Sequence, residues 1–175
     1  MEQLELRKPL IDLISKIKNN ALKTKKEVDK AKKEQRDFLS GKIMGYYFIV
    51  TLFKHQASVF LMDQKELNLS QIDPERDLLG LRKNPDLDPI EWPIDVINDE
   101  TIKGYIRDSL FILKEQYLEA KKSLKDANEC DKEYNRGEFL AYREIIDLMK
   151  SQVRIFHVDE KDISLADVEP ERDFL

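Results

Sequence analysis

The chain has 175 residues, 37% of them charged and 41% hydrophobic, with only five glycines and six prolines. An average globular domain is about 25% charged. The apolar content is too high for a disordered chain, so the excess charge belongs on the outer faces of long helices, and the scarcity of turn residues excludes an all-β fold. The net charge of −5 is uneven: residues 1–87 carry 17 basic and 13 acidic side chains, and residues 88–175 carry 13 and 22. That asymmetry gives the molecule a dipole able to orient it toward itself or a partner.

The N-terminus, Met1-Glu2-Gln3-Leu4-Glu5, is acidic and lacks the layout of a signal peptide. A long helical stripe follows: Ile14, Ile17, Ala21, Thr24, Val28, Ala31, Gln35 and Phe38 recur at alternating steps of three and four. Over 16–36 this segment carries nine basic and three acidic side chains. A basic helix can neutralise phosphates, with Lys18, Lys23, Lys25, Lys26, Lys30 and Lys33 as the candidate contacts. It lacks interleaved aromatics and belongs to an acidic chain, so a solvated flank is the favoured reading and nucleic acid the alternative.

Gly41 ends this stripe, and a glycine there is expected to turn the chain into a helical hairpin. The competing arrangement is one helix running from about 12 to 60. From Ile43 to Phe60 the apolar face broadens, as suits a buried helix. Its longest nearly apolar run, Ile43 to Phe53, is eleven residues. A membrane span needs about 20, so the run is core and no membrane association is expected. Gln56 sits on the apolar face beside Lys54 and is expected to bond the backbone of the following segment. That segment, Leu67 to Ile72, is irregular. Asp73-Pro74-Glu75 then reads as a helix opening, with proline at the first helical position and Leu79 as the anchor.

Residues 80–104 hold three of the six prolines and the only tryptophan, Trp92, among Ile90, Ile94, Val96 and Ile97. This composition marks a linker that needs cover and is expected to pack on the helices. Asn98 or Asp99 is placed to cap the next helix.

Beyond the linker the first segment repeats. Pro74-Glu75-Arg76-Asp77 recurs as Pro170-Glu171-Arg172-Asp173, 96 residues later, and at that fixed offset 21 of the 68 positions from 12 to 79 are identical. Ungapped similarity over this length signals duplication. The fold class expected is all-α: a tandem duplication of a helical-hairpin unit, each a long helix, a second apolar helix and an irregular tail with a capped turn, forming a pseudo-symmetric bundle. The domains are a first unit over 1–79, the linker 80–104 and a second unit over 105–175, joined in one continuous body. Tyr134-x-x-Gly137-x-Phe139-x-Ala141 resembles the inter-helix turn of a tetratricopeptide repeat, but its glycine-to-alanine spacing is one residue short and the period differs, so membership is not inferred.

Motifs for chemistry are missing. His55 and His157 do not correspond in the repeat, and neither follows a carboxylate at the spacing of helical di-iron sites. Cys130 is the lone cysteine, which fits a reducing cytoplasm. No zinc spacing, nucleophile elbow or phosphate loop occurs. Glu34–Asp37 and Glu144–Asp147 resemble the magnesium-holding carboxylate pairs of helical nucleotide pyrophosphatases, but the repeat partners of Glu144 and Asp147 are Phe48 and Thr51. No enzyme activity, metal or cofactor is expected.

One face differs between the copies. Tyr47, Phe48, Thr51 and His55 stand where the second unit has Arg143, Glu144, Asp147 and Ser151. Their spacing puts all four on one side of a helix, where they are expected to be covered by the Trp92 linker or by another chain. The function expected is a non-catalytic, cytoplasmic interaction or scaffold protein, with an unknown protein partner or a second copy of itself on that face.

Overall fold

The computed structural model describes residues 6–81, 98–153 and 155–156. Trp92 with the linker around it, His157 and the second unit's tail lie outside the described residues, as do the expectations placed on them.

The described residues form five α-helices packed together, with no strand among them. Helix α1 spans Arg7–Asp29 and buries Leu10, Leu13, Ile14, Ile17, Ala21 and Thr24 along the stripe anticipated from spacing. A 3-10 turn over Lys33–Gln35 leads into α2, Arg36–Val59. Helix α3 is one turn, Pro74–Asp77. Helix α4 covers Asp99–Asp126 and α5 covers Lys132–Val153.

Both hairpins exist, but their turns lie elsewhere than expected. The first falls at residues 30–35 and the second at 127–131, whereas Gly41 lies inside α2 and Gly137 inside α5. The reason is helix packing. Among the described residues the α2–α5 interface is the most extensive, and the glycines are where the two backbones meet. A Cβ at Gly41 would overlap the carbonyl oxygen of Tyr134, and one at Gly137 would overlap that of Phe38. Further along, a Cβ at Gly45 would come within 2.7 Å of the Ala141 Cβ. The paired positions rise together in number, so α2 and α5 run parallel where they cross.

Helix α4 opens at Asp99, where the sequence places its cap. Asn98 takes the N-cap position, its Oδ1 accepting from the Thr101 backbone N–H at 2.8 Å. Asp99 serves a different contact, its Oδ1 accepting from the Leu6 N–H at 3.3 Å.

Helices of both halves share one apolar core, with Leu13, Ile17, Tyr46, Phe53, Tyr105, Tyr117, Phe139 and Ile145 all nearly sealed from water. The first unit's tail closes over it through Leu67, Leu69, Ile72 and Leu78. Leu78, rather than the expected Leu79, is the buried anchor. Before it, the Asp73 side chain accepts from the Arg76 N–H at 3.1 Å, and Asp77 Oδ2 accepts from the Asp73 N–H at 2.8 Å. Pro74 occupies the first turn, so Asp73 and the Pro-Glu-Arg-Asp sequence build a capped helix opening.

Two lysines hold the tail down. Lys54 Nζ donates to the Ile72 carbonyl at 2.8 Å, and Lys18 Nζ donates to Gln71 Oε1 at 2.8 Å. Burial lowers the Lys54 pKa, against the opposing pull of Asp73 and Asp77. The tie expected of Gln56 is therefore made by its neighbour two residues earlier. Gln56 is buried and its Oε1 meets no donor.

Candidate functional site: a surface stripe on α2 and a basic cleft

Helix α2 buries Tyr46, Ile49, Val50, Phe53 and Gln56 on its inner side. The remaining spacing leaves Phe48, Thr51, His55 and Val59 on the outside, each three or four residues from the next, and all four are exposed. Phe48 is 40% exposed and Val59 57%. Tyr47 is half-buried against the core and meets the Phe48 ring edge-on, with centroids 5.3 Å apart. Three of the anticipated residues thus face solvent together and the fourth supports them.

The counterpart positions on α5 are built differently. Arg143 and Asp147 approach to 3.8 Å one turn apart. Glu144 turns toward α2, accepting from Lys42 Nζ at 2.8 Å and from the Tyr46 hydroxyl at 2.5 Å. Burial first, and then this carboxylate, pushes the Tyr46 pKa well above the ordinary tyrosine value. Glu144 is therefore an inter-helix tie. Among the described residues no group of three or more His, Cys, Asp or Glu side chains is placed to hold a metal ion. The Lys42–Tyr46–Glu144 cluster was not anticipated, because it depends on which helices cross and spacing within one helix cannot supply that.

The six lysines of the alternative site do not form one surface. Lys18 is engaged with the tail and Lys25 pairs with Asp29 at 2.8 Å. Lys33 lies on the 3-10 turn, exposed. Lys23, Lys26 and Lys30, by contrast, line a cleft of about 440 Å³ between the end of α1 and the start of α2, whose other walls include Ala31, Phe38 and Leu39. Arg136 of α5 sits 5.9 Å from the Phe38 ring centroid, a cation–π contact. The expectation that this helix lacks aromatics holds within 16–36, but the turn brings Phe38 back beside it.

A further apolar surface was missed. Phe111 and Leu118, two turns apart on α4, are 55% and 46% exposed. Their repeat partners are Ser15 and Leu22, so comparison of the copies could have marked position 111.

No helix among the described residues is long and apolar enough to cross a membrane. No protein-family model matches the sequence, and no curated protein or solved structure matches it significantly.

Proposed function

We propose that this is a non-catalytic interaction protein of two related helical units, which presents the outer face of α2 to a protein partner. The observation that carries the reading is the exposed stripe Phe48, Thr51, His55 and Val59, with Tyr47 packed beneath it. Exposed apolar residues grouped on one helix face mark contact sites more often than scattered ones do. At the same positions the second unit has Glu144, Asp147, Ser151 and Ile155, so the charge falls on the first two, and Asp147 pairs with Arg143, the counterpart of Tyr47. The contrast is sharpest at position 48, where the first unit exposes an aromatic ring and the second carries a carboxylate tied to α2.

Pseudo-twofold symmetry of the two units belongs to the same proposal. Its support is reciprocity: Gly41 meets Tyr134 while Gly137 meets Phe38, and each pair maps onto the other at the 96-residue offset. The buried positions of α1 from Leu10 to Thr24 fall, at that offset, on buried positions of α4 from Ile106 to Ala120.

Phe48→Glu, which copies the second unit, tests the reading. With Phe48 this exposed, the variant should fold with a stability change of about 1 kcal/mol or less. Proteins retained by the wild-type chain, or its own sedimentation as an oligomer, should be lost. Unchanged retention and sedimentation in a folded variant would remove this face from the interaction.

A further inference from the structure

We propose that the cleft at the α1–α2 turn is a docking site for an acidic amphipathic peptide segment of a partner protein. Lys23, Lys26 and Lys30 follow one another at steps of three and four, so their ammonium groups line one rim, and all three are exposed. Glu27 is the one acid among the lining residues. The floor is apolar, from Ala31, Phe38 and Leu39, and Arg136 adds a cation over the Phe38 ring. A volume of about 440 Å³ lies within the range of sites that hold small ligands and side-chain anchors. A ligand that fits must bring apolar groups to the floor and negative charge to the rim at once.

The second unit shows that this chemistry is not required to form the turn. Glu119, Lys122 and Asp126 stand where the first unit has Lys23, Lys26 and Lys30, so the rim is acidic there. Tyr134 and Asn135 replace Phe38 and Leu39, and Asn135 Nδ2 donates to the Ser123 carbonyl at 3.1 Å, joining α5 to α4 where the first unit leaves its floor open. The positive rim and the apolar floor are therefore features the first unit carries in addition to its fold.

A peptide matches better than the other anionic partners. A duplex is held through its phosphates and needs no apolar floor. Single strands bind over successive aromatic platforms, whereas this cleft offers one ring, already flanked by Arg136. A lipid surface calls for an outward-facing apolar stripe, and this apolar surface is recessed. The cleft lies ten residues before Phe48 on α2, about 15 Å along the helix, so the two surfaces stand or fall separately.

The test uses the full chain and a fluorescent synthetic helix with Glu on one face and Leu and Phe on the other. Saturable binding is expected, weakened about ten-fold or more when Gln replaces Glu in the peptide and in the variant Lys23→Glu with Lys30→Asp. Leu39→Asn, which keeps the rim charge, should also weaken binding, with thermal melts showing each variant folded. No saturation up to about 1 mM peptide, or variants that bind as well as wild type, overturns the proposal. So does tighter binding of labelled oligothymidylate or phosphatidylserine vesicles than of the peptide.

Discussion

Gly41→Ala places one methyl group between two backbones, which makes its cost calculable. Alanine is the better helix former, and in an open helix the change would stabilise by about 1 kcal/mol. At this position the new Cβ overlaps the Tyr134 carbonyl oxygen and lies 3.1 Å from the Glu138 backbone nitrogen. Neither group can rotate away as a flexible side chain would, so α2 and α5 must separate. Overpacking of this kind costs about 1–3 kcal/mol, and the upper end applies because the obstruction is main chain at the most extensive interface. Set against the propensity gain, a net loss of about 2 kcal/mol remains, or roughly 4–8 °C in Tm for a chain of this size. Urea unfolding followed by circular dichroism reads it directly. Gly137→Ala, against Phe38, should lose a similar amount. The double variant should lose less than the sum, since helices already parted offer the second methyl group room. A Gly41→Ala protein as stable as the wild type would refute the close crossing.

Lys54→Met keeps the side chain's length but leaves the Ile72 carbonyl without its donor; a loss of about 1–2 kcal/mol is expected, with faster hydrogen exchange confined to residues 61–79. Gln56→Met removes a buried oxygen that has no donor, so the denaturation midpoint should hold or rise, and a clear fall would reveal a bond to Gln56. Burial holds the phenols of Tyr46, Tyr105 and Tyr142 above their ordinary range. Raised folded values mean the native state keeps protons that the unfolded chain gives up, so this contribution is intact below about pH 10 and declines above it. Denaturation midpoints measured from about pH 9 to 11 should fall, and native tyrosinate absorbance should lag that of the unfolded chain; a flat midpoint contradicts the burial.

The all-helical architecture was legible because the stripe from Ile14 to Thr24 and its second copy from Leu110 to Ala120 repeat the helical period with few interruptions. The Asn98 cap and the Pro74 helix opening were legible for the same local reason, since both bonds close within a few residues. What failed was longer in range. A glycine that ends a helix and a glycine that lets two helices touch are identical within one sequence window, and Gly41 is the second kind. Lys54 and Gln56 are two residues apart on a partly apolar helix, and only the path of the tail decides which one reaches Ile72. The α2 face was readable from the difference between the copies. The cleft was not, because Phe38 and Lys23 meet only once the turn at 30–35 has been placed.

The most direct test of the central claim is photo-cross-linking from position 48, with a benzophenone amino acid in place of Phe48 and the chain expressed in its native host. Contact of α2 with a partner predicts a covalent adduct to a second polypeptide, identifiable by mass and abolished when His55 and Val59 are changed to Asp and Glu. Adducts formed only within the chain, mapping to residues 82–97, would contradict it, since the stripe would then be served by the protein's own linker.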